Sequence, residues 1–215
     1  MKKILIVISC LGVGGGERSL INLLNMFDYS KYEVDLLLLG DGGPLVKQIP
    51  SNVNILKKPN ELQFLYNKFG LTDILKKKVV KTVCVRYIGT VISRIKESNI
   101  NRAKQFRWEH FYSKYLKNKI AGYSTVFAYM NDDAMYYVSE YVEASNKIAW
   151  IHNDYYAMGY DAEMDKKHFK NFNTIVTISD ECLRILKEVF PLRGAGSPWG
   201  NPFRAPRPAP VPPCR

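Results

Sequence analysis

The sequence predicts an α/β fold: a doubly wound, mostly parallel sheet with helices on both faces. Two observations predict it. Apolar runs of strand length alternate with helical patterns over residues 1–191. Polar or glycine-rich residues follow the ends of these runs, as in the turn at 12–16. Strands that are apolar on both sides and separated by helices are typical of parallel sheets.

Each element has its own local signal. Six apolar runs are predicted strands: 4–9, 33–39, 53–56, 124–129, 147–151 and 174–178. After the first strand, Leu20, Leu23, Leu24 and Phe27 recur at the spacing of one helix face. Ser179 is a predicted N-cap, and the helix that follows it extends to Phe190.

The composition divides the chain into a domain, 1–191, and a tail, 192–215. The domain holds all 20 acidic residues and four of the 11 prolines, whereas the tail has no acid, no lysine, four arginines and seven prolines. Such a tail buries too little apolar surface to offset its ordering entropy, so we expect it to be disordered. We favour a cloning or frameshift remnant over the alternative, a proline-rich ligand segment.

The basic charge is concentrated in an insertion at 57–119, between the third and fourth predicted strands. It holds 16 Lys and Arg against four acids, a net +12, more than the +11 of the whole chain. One interpretation is amphipathic helices whose lysine stems pack along the domain. A second is docking on the anionic cytoplasmic leaflet of a membrane. The membrane-contact candidates are Lys76, Lys77, Lys78, Arg107 and Trp108. Nucleic acid is disfavoured because no recognition motif accompanies the charge.

Several classes are excluded by simpler features. Arg86 and Arg94 interrupt the best candidate for a transmembrane helix, around 79–95. The four cysteines form no CxxC pair and have no histidine at zinc-ligand spacing, so we expect no metal site and a reducing, cytoplasmic setting.

The glycine-rich turn is the first candidate site, with Gly14, Gly15, Gly16, Glu17 and Arg18 as its residues. Glycines let the backbone approach a ligand, and the helix that follows presents unpaired N–H groups to an anion. The dinucleotide fingerprint fails because Glu17 stands where its third glycine belongs, and no Gly-Lys-Ser/Thr of a phosphate loop follows. A tight strand-to-helix turn without a ligand remains the alternative.

His152 is the second candidate, together with Asn153 and Asp154. It follows a predicted central strand, at the sheet edge where open α/β sheets bind ligands. The alternative is a histidine in an ordinary hydrogen bond at a strand end. His110 and His168 lie on basic stretches and are expected to be solvated. The run 131–133 is either a helix N-cap or a secondary candidate.

These motifs together resemble the N-terminal half of family-four retaining glycosyltransferases, which have the GT-B fold. The resemblance rests on the strand 4–9 with the turn Gly14 to Arg18, the strand ending at His152, and the strand 174–178 with its helix. It covers about residues 2–191. In that family two Rossmann-like domains face each other across a cleft; the first holds the acceptor and the second the nucleotide-sugar.

The resemblance implies roles for the candidate residues. Gly15 and Gly16 correspond to the loop near the donor diphosphate, and His152 to the histidine that contacts the transferred sugar. The acceptor would be a cell-surface polysaccharide or a lipid-linked molecule, used at the inner face of the membrane. No metal or other cofactor is required. The paired glutamates of the donor-binding half have no counterpart after Glu188, so this chain is expected to have little activity alone.

Two rival functions remain. One is a nicotinamide or other nucleotide-binding enzyme, with Asp41 as a ribose ligand. The other is a non-catalytic module that docks on anionic membranes through the insertion.

Overall fold

In a computed structural model, which describes residues 1–67, 70, 80–191 and 203–204, the chain forms a parallel sheet flanked by helices. The strands are β1 (Lys2–Ile8), β2 (Tyr32–Leu38), β3 (Val53–Ile55), β4 (Ile120–Ala128), β5 (Val142–Ile151) and β6 (Thr174–Thr177). Their spatial order is β3-β2-β1-β4-β5-β6. The predicted doubly wound α/β fold is confirmed.

The helices lie in the connections between strands. They are α1 (Gly15–Met26), α2 (Asn60–Tyr66), α3 (Val80–Lys96), α4 (Ile100–Arg107), α5 (Asp133–Tyr141), α6 (Tyr155–Met158), α7 (Ala162–Phe169) and α8 (Asp180–Val189). A 3₁₀ helix at Pro44–Gln48 follows β2, and a π-helical segment, Trp108–Tyr112, continues α4 into the turn Ser113–Tyr115.

Strand β1 illustrates why both faces of the sheet are covered. Side chains alternate along a strand, so Ile4, Ile6 and Ile8 face one side and Leu5 and Val7 the other. The first side packs against Leu20, Ile21 and Leu24 of α1. The second packs against a larger cluster that draws on α2, α5 and the π-helical segment. Two apolar layers therefore hold the central strands rigidly.

Two strands begin four or five residues earlier than the sequence predicts. Strand β4 starts at Ile120 rather than 124, and β5 starts at Val142, directly after α5, rather than at 147. The added residues include Gly122 at φ +95°, next to a register irregularity between Ile120 and Tyr123. The added residues show no apolar pattern that would predict a strand. They are extended because β4 and β5 pair with each other.

The tail contributes one short pairing to the described structure. Phe203–Arg204, here β7, runs parallel to β6 with Ile175 opposite Phe203. The other tail residues lie outside the described residues, so the expected disorder of the tail stays a prediction.

The insertion packs its central aromatic residues into the core, and this corrects two predicted membrane contacts. Trp108 is fully buried, with its ring 5.8 Å from that of Tyr136 on α5. Arg107 is mostly buried, and its guanidinium lies 3.7 Å from the Asp133 carboxylate. Neither side chain is placed to contact a membrane, because α4 turns them toward α5. Lys76, Lys77 and Lys78 lie outside the described residues.

Candidate functional site

The candidate site lies at the carboxyl ends of β1, β4 and β5. The strand order reverses between β1 and β4, since β2 and β3 extend to one side of β1 and the later strands to the other. Connections leave this edge toward opposite faces, which opens a crevice where doubly wound sheets bind ligands. The glycine-rich turn follows β1, and His152 follows β5.

Neighbouring loops hold the glycine-rich turn in place. The Gly40 N–H donates to the Ser9 carbonyl at 2.7 Å, and the Leu11 N–H donates to the Gly42 carbonyl at 2.9 Å. Gly43 has φ +144°, and a Cβ there would lie 2.2 Å from the Leu11 carbonyl oxygen. Only glycine allows these two loops to approach so closely. The start of α1 is thereby fixed against the sheet edge.

The amino end of α1 presents free backbone N–H groups to the crevice. Gly14 is the N-cap and supplies no side-chain hydrogen bond. The Arg18 N–H, the first to reach a helical partner, donates to the Gly14 carbonyl at 3.1 Å. The N–H groups of Gly15 and Gly16 precede it and lack intrahelical acceptors, as at any helix start. Gly15 has open space around it, since a Cβ there would meet nothing within 4 Å. The Arg18 side chain, one turn further along α1, is exposed.

Glu17 folds back over the turn that precedes it. A Cβ on Gly14 would lie 2.5 Å from Glu17 Oε2, and one on Gly12 would lie 3.2 Å from Oε1. The carboxylate therefore lies at the positive end of the α1 dipole, where negative charge is stabilised. A bound anion would have to share this position with it or displace it.

The two predicted motifs come together at Gly16. A Cβ at this position would lie 3.4 Å from Cγ of His152 and 2.9 Å from Sδ of Met130. Met130 follows β4, so the contact joins the ends of β1, β4 and β5. The backbone of the glycine-rich turn thus borders the imidazole directly.

Aromatic neighbours fix the orientation of the His152 ring. Its centroid lies 4.8 Å from that of Tyr129 and 5.5 Å from that of Trp150, nearly parallel to the latter at 12°. Tyr129 is fully buried, and its hydroxyl lies 3.2 Å from Ser19 Oγ on α1. Sequence reasoning missed Tyr129 and Met130 because they resemble ordinary apolar residues at a strand end.

His152 is neutral at physiological pH and has an unused hydrogen-bonding atom. Burial lowers the pKa of its imidazole to about 4. Nε2 is buried and has no hydrogen-bond partner among the described residues. A neutral imidazole can donate or accept one hydrogen bond, so it suits an uncharged ligand hydroxyl. An unsatisfied buried nitrogen costs about 1–3 kcal/mol, which such a hydroxyl would recover.

The residues after His152 have structural roles. Asp154 is the N-cap of α6, since its Oδ1 accepts from the N–H groups of Tyr156 at 2.8 Å and Ala157 at 3.1 Å. Asn153 Nδ2 donates to the Tyr160 hydroxyl at 3.2 Å, which donates to the Asn131 carbonyl at 2.9 Å. These bonds link the loop after β5 to the loop after β4. Asp154 thus has a capping role that does not require a ligand.

Asp132 supplies a second titratable group at the end of β4. Its Oδ1 accepts from the Ala134 N–H at 2.9 Å, which confirms the N-cap interpretation of this run. Burial and the neighbouring Asp133 raise the pKa of the Asp132 carboxyl to about 6.

A buried carboxylate behind the crevice joins the insertion to the rest of the domain. Asp165 on α7 accepts from Tyr136 Oη and Tyr155 Oη, both at 2.7 Å, and from Gln105 Nε2 at 2.8 Å. These donors belong to α5, α6 and α4. Burial raises the pKa of Asp165 to about 6. The network fixes α6, which directly follows the His152 loop.

His168 corrects another expectation, since it is buried rather than solvated. Its ring packs 4.8 Å from that of Tyr136, and Nδ1 lies 3.0 Å from Ser139 Oγ. Burial lowers the pKa of the imidazole to about 4. The side of α7 that carries His168 faces α5, whereas the neighbouring lysines on this helix point to solvent. His110, by contrast, is exposed as expected.

None of the described helices is long and apolar enough to cross a membrane. Within the same part of the chain, no cluster of three or more His, Cys, Asp or Glu side chains could hold a metal ion.

The fold and the crevice define an α/β domain of the doubly wound class with a candidate ligand site at its switch point. Comparisons with protein-family models, curated proteins and solved structures found no match.

Proposed function

We propose that this domain is the acceptor-side half of a glycosyltransferase that moves a sugar from a nucleotide-sugar to a cell-surface polysaccharide or a lipid-linked acceptor. The observation that carries the proposal is the contact between Gly16 and His152. It joins an anion-binding backbone to a neutral imidazole at the switch point of the sheet. This pairing suits a nucleotide-sugar, because its diphosphate is anionic and its sugar is uncharged.

Each group has a task in this proposal. The N–H groups of Gly15 and Gly16 stabilise the negative charge that develops on the diphosphate as it leaves. His152, fixed by Tyr129 and Trp150, donates or accepts a hydrogen bond at a sugar hydroxyl. A histidine with a pKa of about 4 remains neutral at pH 7 and adds no charge beside the leaving group. The reaction needs no metal in this proposal.

The rival nicotinamide function has less support from the residues. Glu17 occupies the position of the third fingerprint glycine, and its carboxylate lies over Gly14. That carboxylate would meet a dinucleotide pyrophosphate and a nucleotide-sugar diphosphate alike, so the ground against this rival is the missing third glycine rather than the charge. The strand order is shared by both classes and does not distinguish them.

The proposal is tested by sugar transfer in a form of the protein that carries a donor-binding half. When the coding DNA beyond the Phe190 codon is translated in all three frames, we expect one frame to give such a half with paired glutamates. In that form His152→Ala should reduce turnover about a hundredfold or more, since a contact near the reacting centre is lost. Met26→Ala is the control and should retain turnover, because Met26 is 82% exposed at the end of α1 remote from the glycine-rich turn.

Two results would contradict the proposal. One is unchanged turnover in the His152→Ala protein while its folding is intact. The other is the absence of any strand–helix alternation in the three downstream frames. The second result would instead favour a binding module that acts without sugar transfer.

A further inference from the structure

Helix α3 carries large apolar side chains on its solvent side. Val80, Tyr87, Ile88, Val91 and Ile95 are each between 52% and 77% exposed. Cys84 is also exposed and lies among them. At 3.6 residues per turn these six residues fall within an arc of about 100°. We call this set the outer face of α3.

The most deeply buried residues of α3 are small or polar, and the half-buried Val85 beside them packs against the core. Thr82, Gly89 and Ser93 are its buried residues. Gly89 lies against the ring of Phe111, since a Cβ at this position would be 3.0 Å from Phe111 Cγ. A helix on the surface of a globular protein normally shows the reverse arrangement, with its large apolar residues inward. The outer face of α3 is therefore not explained by packing within the described residues.

Exposed cations border the outer face on both sides. Arg94 lies beside Tyr87 on one edge and Lys81 lies beside Ile88 on the other, while Lys96 lies beyond Lys81 in the last turn; all three are exposed. Helix α3 holds four cations and no acid. Lysine and arginine next to an apolar arc are typical of helices that lie in the interface plane of an anionic membrane.

A cationic groove adjoins the same helix. It has a volume of about 440 Å³ and is lined by three lysines, one carboxylate, a histidine and three apolar or aromatic residues: Lys81, Lys114, Lys117, Glu61, His110, Val85, Phe111 and Tyr115. The Glu61 carboxylate accepts from Asn118 Nδ2 at 3.0 Å. Three lysines against one carboxylate leave the groove with a positive charge, which suits a lipid phosphate.

We propose that the outer face of α3 docks on an anionic lipid bilayer, with the groove holding a headgroup phosphate. The apolar side chains would enter the acyl boundary while Lys81, Arg94 and Lys96 remain at headgroup level. A second copy of this chain fits less well, because pairing two outer faces would bring like-charged edges together. Membrane docking rests on the proposed function in one respect only: docking would bring the domain to the lipid-linked acceptor of that function.

The test is sedimentation of the full chain with vesicles of phosphatidylcholine, with and without phosphatidylglycerol. We expect binding only to the anionic vesicles. The double variant Ile88→Gln/Ile95→Gln should lose about tenfold or more in partitioning, since it removes two apolar anchors without changing charge. Met26→Gln is the matched control, because Met26 is 82% exposed on α1 and far in sequence from the insertion. It should bind like the unaltered chain.

Three results would overturn the proposal. The first is equal vesicle binding by the double variant and the control. The second is an unaltered chain that binds neither vesicle. The third is an unaltered chain that sediments as a dimer in solution while the double variant is monomeric, which would assign the outer face to a second copy. His152→Ala is expected to bind vesicles normally, so failure of the transferase proposal leaves this test interpretable.

Discussion

Gly16 borders the imidazole of His152 so closely that a Cβ at position 16 would lie 3.4 Å from His152 Cγ. The same Cβ would lie 2.9 Å from Sδ of Met130. Gly15, one residue earlier in α1, has nothing within 4 Å of its equivalent Cβ. These adjacent glycines therefore provide a matched pair of substitutions.

We expect Gly16→Ala to fold but to lose ligand binding, and Gly15→Ala to retain it. At position 16 the flexible Met130 side chain must move, and the His152 ring moves with it. At position 15 alanine meets no neighbour and lowers the entropy of the unfolded chain, so stability should be unchanged or rise by up to about 1 kcal/mol. Calorimetric titration with nucleotide-sugars, in a form that carries a donor-binding half, measures the binding, and urea unfolding measures the stability. Equal binding by both variants would show that the contact has no role in the site.

Glu17→Gln should strengthen the binding of inorganic pyrophosphate. The Glu17 carboxylate lies over Gly14, in the position an anion would take at the start of α1. Removal of one like charge near about 4 Å in water is worth about 1 kcal/mol, or about fivefold in affinity. Glu163→Gln, an exposed acid in the first turn of α7, is the control and should change nothing. Weaker binding in Glu17→Gln would mean that the carboxylate supports the anion site rather than competing with the anion.

The Asp165 network should contribute measurably to stability. Tyr155→Phe removes one donor from a carboxylate that is fully buried, so we expect a loss of about 1–3 kcal/mol in the free energy of unfolding. Tyr156→Phe is the control, since the adjacent Tyr156 is 60% exposed. Its effect should stay within about 0.5 kcal/mol. Equal stability of the two variants in urea unfolding would show that Asp165 does not need the Tyr155 donor.

Buried histidine should make stability depend on pH. The pKa of His168 is about 4 in the folded state, against an ordinary 6.5, so between these values the unfolded chain binds more protons. Stability from this group is therefore complete above about pH 6.5 and is lost as the pH falls toward 4. Asp132 and Asp165 act oppositely in the same window, because their folded pKa values are raised to about 6. Because these groups act together, the change of unfolding free energy with pH in a variant must be compared with the same change in the unaltered chain.

His168→Gln should reduce the loss of stability between pH 7 and pH 5 by on the order of 1 kcal/mol. Urea unfolding at the two pH values gives the difference. His110→Gln, at an exposed histidine, is the control and should keep the full slope. A full slope in His168→Gln would show that another group carries the dependence, and His152 is the candidate because burial lowers its pKa to about 4 as well.

The sequence was sufficient to predict the sheet because buried strands are recognisable locally. A continuous apolar run such as 4–9 predicts a strand covered on both faces, and all six predicted strands are present. The placement of the glycine-rich turn and His152 at one edge followed from parallel topology alone. Their contact through Gly16 required three-dimensional packing, because α1 approaches β5 across β4.

Burial on the outer layer could not be predicted in the same way. Trp108 stands among cations and was expected at a surface, but its partner Tyr136 belongs to a distant helix. His168 has lysine neighbours, yet it shares one helix face with Met164, and this i, i+4 spacing was the available signal. In α3, periodicity identifies an apolar arc but not the side of the helix that faces the protein.

The most direct test of the central claim is an amide NMR titration with nucleotide-sugars, up to the millimolar range, of the isotope-labelled domain in a form of the protein that carries a donor-binding half. We expect the resonances of Gly15, Gly16 and His152 to shift saturably with at least one nucleotide-sugar, and not with a nicotinamide dinucleotide. Shifts of these residues with the dinucleotide in place of the sugars, or no shift with any nucleotide-sugar, would contradict the account.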